Sequence, residues 1–337
     1  VIKVSALSEL VKLGFSPGLT STEYSLKLLS EVSESFSKTS ELRDLTKAYS
    51  LIVSRVKAER PTSAQAINLL RDLGAEIVKS VKEKASLNYV RNNVLEFVDR
   101  WRNRIQKELS EVSRIASRRI SSGESILTHS RSMCIIRTAE YLVSEDKKPV
   151  FYVTESRPGM EGLVLAEELW RMSHKVKLIV DSAARFFMKD VDLVLLGAEA
   201  VAANGAIVSK IGSSLISLAA NEARVRVFVL APTSKLSIET LFGELVQLPE
   251  GDWRRLMSPE VLHTLPENYR ARVPLYDVVP PDYIDGIVSE KGLFAPQAIP
   301  YLIKEVHGGW PLKATSLENL EKELSKLVGG GVYGDTD

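Results

Sequence analysis

Between residues 125 and 231 the chain contains five short apolar runs, rich in β-branched residues and separated by stretches with helical spacing. The runs are SILTH, PVFYVTE, VKLIVD, DLVLLGA and VRVFVLA, and none of them alternates apolar with polar residues. Strands covered on both faces by helices have this pattern, and such strands pair in parallel. The pattern therefore predicts an α/β domain over residues 121–327, with a Rossmann-like, doubly wound and mostly parallel sheet.

The first third of the chain has a different period. Its apolar residues recur every three or four positions, which lines one face of an α-helix. The clearest series is Phe97, Trp101, Ile105, Leu109, Val112 and Ala116. We expect a helical N-terminal domain over residues 1–120, ahead of the sheet domain. Residues 328–337, VGGGVYGDTD, are predicted to form a Gly-rich tail.

Composition narrows the classes of function. Lys and Arg number 44 against 43 Asp and Glu, so no net field favours direct contact with nucleic acid or with a membrane surface. No stretch reaches the roughly 20 apolar residues of a membrane span, and we expect a cytoplasmic protein. A single cysteine and four scattered histidines do not have metal-ligand spacing. We expect neither a metal nor a cofactor.

Polar loops follow four of the predicted strands. THSRS, TESRP, GAEA and APTSK all lie where strands end, and ligands of open parallel sheets bind outside those carboxyl ends. Ser130 and Ser132 fall where a helix begins, a place where free backbone N–H groups attract anions. The same serines also suit simple helix N-caps, and the sequence leaves both roles open.

Six segments resemble one known family. They are ERPTSAQAINLL (59–70), ILTHSRS (126–132), YVTESRPGMEG (152–162), VDSAARFFM (180–188), GAEAVAANGAIVSKIGS (197–213) and YDVVPPDYIDGIVSEKG (276–292). Together they resemble the translation initiation factor 2B alpha/beta/delta family, which also includes methylthioribose-1-phosphate isomerase and archaeal ribose-1,5-bisphosphate isomerase. The resemblance implies a helical domain joined to a Rossmann-like domain, in agreement with the periodicity.

The chain departs from the isomerases at two positions. The isomerases have a cysteine in THC and an aspartate in GAD, and the matching residues here are Ser130 and Glu199. A serine hydroxyl exchanges protons near neutral pH only with an adjacent base, whereas a cysteine thiol can be tuned to do so. Cys134 lies one helical turn beyond that position, and we expect it to be a buried apolar residue. No catalytic residue is therefore assigned.

The resemblance also implies ligand contacts. Arg60 and Lys210 match residues that hold the phosphate or sugar in the isomerases, and Ser209 replaces their asparagine. Gly18, Thr20 and Ser21 are candidates for the family's glycine loop, although its arginine–glycine pair is absent. The predicted ligand-binding or phosphate-binding residues are Arg60, Ser130, Arg131, Ser132, Glu199, Asn204, Ser209 and Lys210.

Three functions are compatible with these residues. The leading hypothesis is a non-catalytic regulatory or scaffolding homologue of the initiation factor 2B alpha subunit, with a sugar phosphate or nucleoside monophosphate as a candidate ligand. The alternative is a sugar-phosphate isomerase with altered acid–base residues, and a third is a stand-alone phosphosugar sensor. The resemblance implies a homodimer through the C-terminal domains, with a higher oligomer left open. It also implies a contact with the alpha subunit of initiation factor 2.

Overall fold

The computed structural model describes residues 18–244, 246–257, 259–266, 268–308 and 315–329. Its N-terminal part consists of four helices: α1 (Ser21–Ser37), α2 (Leu42–Glu59), α3 (Ala64–Glu83) and α4 (Leu87–Ser117). Each helix turns one apolar face into a shared core that contains Leu29, Phe36 and Tyr49. This arrangement confirms the helical region predicted from the spacing of apolar residues.

The second part is built on a seven-stranded sheet. Its strands are β1 (Ser125–Thr128), β2 (Val150–Thr154), β3 (Lys175–Ile179), β4 (Leu193–Gly197), β7 (Arg226–Leu230), β9 (Gly286–Ser289) and β10 (Gly292–Phe294). The spatial order is β10-β9-β7-β4-β1-β2-β3, and β10 alone of these strands pairs antiparallel. The five predicted strand runs correspond to β1, β2, β3, β4 and β7, so the mostly parallel sheet is confirmed.

Helices cover both faces of the sheet. They are α5 (Met133–Ser144), α6 (Glu161–Arg171), α7 (Ala184–Phe187), α8 (Ser213–Ala223) and α10 (Ile299–Val306), together with the end of α4. The short helix α9 (Pro259–Leu262) lies in the connection before β8. Two apolar clusters, one on each side, explain why the strands lack polar alternation. A smaller antiparallel sheet joins β5 (Ala200–Val201), β6 (Ile207–Lys210) and β8 (Tyr276–Val279).

The last described helix, α11 (Leu317–Gly329), belongs to the helical core and not to the sheet domain. Leu317, Leu320 and Leu324 are buried there, and α11 packs against α2 and α3. The sequence pattern assigns residues up to 327 to the sheet domain of 121–327. The structure places α11 in the helical part instead, because its apolar side covers apolar residues of α2 and α3. Of the predicted tail 328–337, residues 328 and 329 end α11, and the remainder lies outside the described residues.

The strand order reverses between β1 and β4. From β1 the chain moves outward to β2 and β3, and it then returns to form β4 on the other side of β1. The loops after β1 and β4 consequently diverge and leave a crevice at the carboxyl ends of these two strands. This reversal point is where open α/β sheets bind ligands.

Candidate functional site

A small pocket lies at this crevice. Its lining includes the loop after β1 (His129 to Ser132), the loop after β4 (Ala198 and Glu199), and Thr20 and Ser21 at the start of α1. Ser209, Lys210, Lys235 and Tyr276 complete most of the remaining wall. The pocket encloses about 40 Å³, room for only a few water molecules. Most of the predicted ligand-binding residues therefore converge at one place.

Glu199 stands between the two domains. Arg60, at the end of α2, donates from Nη2 to Glu199 Oε1 at 3.1 Å. The backbone N–H of Ala64 donates to the Glu199 carbonyl oxygen, which fixes the main chain as well. Glu199 Oε2 is buried and has no hydrogen-bond partner among the described residues. The carboxylate is thus held by one oxygen, while the other is unoccupied by protein groups.

The serine loop places donors at the start of α5. Ser130 has a left-handed backbone, with φ of 62°, and its N–H donates to Ser156 Oγ at 2.7 Å. Ser132 occupies the N-cap position of α5, but its side chain makes no capping hydrogen bond. A Cβ on Gly197 would lie 2.7 Å from Ser132 Oγ, so only glycine fits beside it. The N-terminal end of α5 therefore opens into the pocket with its N–H groups available for an anion.

Arg131 joins three elements. Its Nη1 donates to both Glu23 oxygens at 2.8 Å, and its Nε and Nη2 donate to Glu168. Burial lowers the pKa of Arg131, but the hydrogen bonds with Glu168 and Glu23 outweigh it and raise that pKa above its ordinary value. Glu23 also caps α1 through the N–H and hydroxyl of Thr20. Arg131 therefore fastens α1 to α6 instead of pointing unpaired at a ligand.

Lys210, at the end of β6, is also paired. Its Nζ lies 2.7 Å from Oε1 of Glu161, a residue that is 4% exposed at the first position of α6. Lys210 Nζ also lies 5.4 Å from the centre of the Tyr276 ring. The side chain that the resemblance assigned to phosphate is neutralised here by a buried carboxylate.

Lys235 is the pocket residue that the sequence analysis missed. It lies in the APTSK loop after β7, is 3% exposed, and donates from Nζ to the Ala198 carbonyl oxygen at 2.7 Å. In the described part of the chain no carboxylate lies within ion-pair distance of it. The sequence identifies APTSK as a polar loop at a strand end. A lysine in such a loop could have been predicted to contact a ligand. A buried cation without a carboxylate is a site prepared for an anion.

His129 is a positioning residue. Its Nε2 lies 2.7 Å from the Ile211 carbonyl oxygen and therefore carries the hydrogen, and Nδ1 accepts from Thr154 Oγ1 at 2.6 Å. Burial lowers the pKa of His129 and outweighs the opposite effect of Asp181, so the ring is neutral at pH 7. Across the described ranges, no group of three His, Cys, Asp or Glu residues is arranged to hold a metal ion.

Cys134 lies outside the pocket lining. It is buried in the second position of α5, among the apolar residues between that helix and α4. Burial raises the pKa of its thiol to about 11, so the thiol stays protonated at neutral pH. This position matches the expected apolar role.

Two other predicted residues have structural roles. Asn204 is exposed in the turn between β5 and β6, where its Oδ1 accepts from the N–H of Ala206, and it does not line the pocket. The structure therefore places Asn204 outside the pocket, apart from the other predicted ligand contacts. Ser209 does line the pocket, but its hydroxyl donates to the Gly197 carbonyl oxygen at 2.9 Å and stabilises the end of β4.

A larger cavity, of about 620 Å³, lies beyond the Pro61–Thr62 turn. Its cations Lys57 and Arg71 form ion pairs with Glu318 and Glu239. It lies away from the carboxyl ends of β1 and β4, and its lining shares no residue with that of the small pocket. The strand topology therefore favours the small pocket as the functional site.

Membrane-spanning segments are not found in the part of the chain that the structure describes, since none of its helices combines the necessary length and apolar character.

Curated relatives match this chain in sequence, and solved structures match it in fold. Ribose 1,5-bisphosphate isomerase from Pyrococcus furiosus is 35% identical over 254 residues, covering 75% of this chain and 78% of the relative. The protein of that name from Archaeoglobus fulgidus is 37% identical over 246 residues, covering 73% and 76%. Methylthioribose-1-phosphate isomerase from Geotalea uraniireducens is 31% identical over 220 residues, covering 60% and 63%.

The solved structures establish the fold. Translation initiation factor eIF-2B from Pyrococcus horikoshii superposes with a TM-score of 0.66 at 24% identity, covering 87% of this chain and 93% of that one. Methylthioribose 1-phosphate isomerase from the same organism superposes with a TM-score of 0.67 at 21% identity, covering 89% and 87%. The model of the initiation factor 2 subunit family matches residues 20–296. The chain belongs to that family, which contains both initiation factor 2B subunits and sugar-phosphate isomerases.

Proposed function

We propose that this protein binds a phosphorylated pentose in the small pocket and interconverts its aldose and ketose forms. The curated relatives with 35% and 37% identity carry the name ribose 1,5-bisphosphate isomerase. They favour the isomerase alternative over the regulatory role, which was the leading hypothesis from the sequence. The translation-factor structures are less than 25% identical and support the fold alone.

The main observation in favour of this proposal is that Glu199 Oε2 has no hydrogen-bond partner among the described residues. In a pentose 1-phosphate, this isomerisation moves the hydrogen of C2 to C1 and breaks the bond between C1 and the ring oxygen. The C2 hydroxyl becomes a carbonyl, and its proton passes to the released ring oxygen. A carboxylate that takes the proton from C2 and returns it at C1 leaves the composition of the sugar unchanged. Glu199 Oε2 is buried, unpartnered among the described residues and part of the pocket wall, while Arg60 holds Oε1. Glu199 thus has both the chemistry and the position for this step.

The phosphate group is assigned to Lys235 and the start of α5. Lys235 supplies a buried positive charge, and the first turn of α5 supplies backbone N–H groups. Both features attract a dianion, and hydrogen bonds to charged groups contribute about 1.5–3 kcal/mol each. The sugar then lies between these groups and Glu199.

Entry of a pentose phosphate requires the pocket to open. Ligand sites usually enclose about 300–1,000 Å³, far more than the 40 Å³ present. Arg131 with Glu23, and Arg60 with Glu199, are the ion pairs that connect the helical part to the strand-end loops. Separation of the Arg131–Glu23 pair as the ligand enters widens the crevice between the two parts, while Arg60 keeps Glu199 in place.

The test follows ketose formation by the full chain with ribose 1,5-bisphosphate and with methylthioribose-1-phosphate. Glu199→Gln should abolish turnover and retain binding, because the amide keeps the shape but accepts no proton. Glu239→Gln is the matched control, since Glu239 forms another ion pair between the two parts, with Arg71, outside the pocket. Equal turnover in the native protein and Glu199→Gln contradicts the proposed role of Glu199.

Ser130 supports a second candidate, a non-catalytic protein that responds to a phosphosugar. No described hydrogen bond joins the Ser130 hydroxyl to a carboxylate or imidazole, so no base activates it as a substitute for the isomerases' cysteine. Tight binding of a pentose phosphate without turnover favours this candidate. Appearance of turnover in Ser130→Cys would then locate the missing chemistry at that position.

A further inference from the structure

Glu161 and Lys210 form a buried ion pair at one end of the pocket. Glu161 is 4% exposed, Lys210 Nζ lies 2.7 Å from its Oε1, and Lys210 lines the pocket. Glu161 Oε2 is buried and has no hydrogen-bond partner within the described ranges. Glu161 itself does not line the pocket, so the pair leaves a neutralised ammonium, and not a net positive charge, at this end.

The loop before α6 is shaped around this carboxylate. A Cβ on Gly159 would lie 2.3 Å from Glu161 Oε1, so a glycine there leaves room for the side chain. A Cβ on Gly162 would lie 1.7 Å from the Thr154 carbonyl oxygen, so glycine is also required on the other side of Glu161. The backbone on both sides of Glu161 is consequently closely packed, and its buried carboxylate lies at Lys210.

Other cations at the pocket are balanced in the same way. Arg131 pairs with Glu23 and Glu168. Arg60 pairs with Glu199. Lys235 differs because no carboxylate in the described structure pairs with it. A phosphate monoester carries about −1.5 to −2 charges at pH 7, so this balance suits one phosphate group.

From the Glu161–Lys210 pair we infer that Glu161 is a specificity-determining residue, which selects a pentose with one phosphate and rejects a bisphosphate. The inference rests on the proposed function. The single phosphate binds at Lys235 and the start of α5, and the other end of the sugar lies against Lys210. A second phosphate at that end gains little from Lys210, because the Glu161 carboxylate 2.7 Å away cancels its charge and repels a further anion where water is excluded.

Calorimetry with the full chain tests the inference through three probes: ribose 1-phosphate, ribose 5-phosphate and ribose 1,5-bisphosphate. At least one monophosphate should bind the native protein about tenfold or more tightly than the bisphosphate. Glu161→Gln keeps the shape and removes the charge, so it should raise bisphosphate affinity about tenfold and shift the ratio towards it. Glu167→Gln is the matched control, since Glu167 pairs with Arg171 on the same helix.

The outcomes separate this inference from the proposed function. A native protein that binds the bisphosphate more tightly than both monophosphates overturns the inference, and this comparison needs no variant. An unchanged affinity ratio in folded Glu161→Gln also overturns it. Monophosphate preference without turnover supports the inference and removes only the proposed reaction, whereas binding of none of the three probes removes both.

Discussion

Replacing Lys235 with methionine should weaken phosphate binding without unfolding the protein. The side chain is 3% exposed, and it donates one hydrogen bond, to the Ala198 carbonyl oxygen. Methionine has a similar length and flexibility, so it fills the same space without the charge. The variant therefore isolates the electrostatic contribution of Lys235 from its packing.

Two opposing effects determine its stability. Loss of the hydrogen bond leaves the Ala198 carbonyl oxygen unpaired, which costs about 1–3 kcal/mol. Removal of a buried cation that has no described carboxylate partner relieves a desolvation cost of several kcal/mol, reduced by whatever water reaches the pocket. Because these contributions have opposite signs, we expect the free energy of unfolding to change by less than about 2 kcal/mol.

Ligand affinity has no such compensation. A lost charge-assisted contact to phosphate is worth about 1.5–3 kcal/mol, which corresponds to a Kd about 10 to 150 times higher. Urea denaturation gives the stability, and calorimetric titration with ribose 1-phosphate or ribose 5-phosphate gives the affinity. Lys177→Met serves as the control, because Lys177 also donates one hydrogen bond, to Tyr152, and does not line the pocket. An unchanged Kd in folded Lys235→Met would refute the assignment of the phosphate to Lys235.

Three further predictions concern other parts of the chain. Burial raises the pKa of the Glu23 carboxyl, but Arg131 and the cap of α1 outweigh burial and lower that pKa below its ordinary value. Glu23→Gln should therefore cost about 1 kcal/mol of unfolding free energy at pH 7. In urea titrations at several pH values, this difference should vanish as the pH falls from 4.5 through the lowered pKa. Cys134→Ala should cost about 1 kcal/mol and leave ligand Kd unchanged by calorimetry. The exposed Phe186 (65%) and Leu215 (62%) should lie in a homodimer interface, so light scattering should give twice 37.3 kDa, and Phe186→Glu should give the monomer mass.

The fold was largely predictable because burial acts directly on residue type. The run DLVLLGA must be covered on both faces, and its neighbours in the sheet have the same property, so the parallel sheet follows from local patterns. The place of the pocket follows as well, since strand ends meet at one edge. Ser130 and Glu199 belong to two of the six segments that resemble the family, and both residues follow strands that end at this edge.

The charge balance of the pocket was not predictable in this way. Glu161 pairs with Lys210 from 49 residues away, and Glu23 pairs with Arg131 from 108 residues away. Nothing in a local pattern indicates which of many glutamates will meet a given cation. Lys235 was missed because its importance comes from having no ion-pair partner among the described residues, a property of the assembled structure.

The position of α11 has a consequence for how the chain is made. Leu317, Leu320 and Leu324 complete a hydrophobic core whose other helices come from the first 117 residues. During synthesis, the sheet domain emerges and acquires all its strands before this last helix leaves the ribosome. Arg60 and Glu23 lie on helices of the late-completed core, so the pocket should mature only when the final helix docks. Premature termination before residue 317 would then yield a formed sheet beside an open helical layer, a species exposed to aggregation and proteolysis.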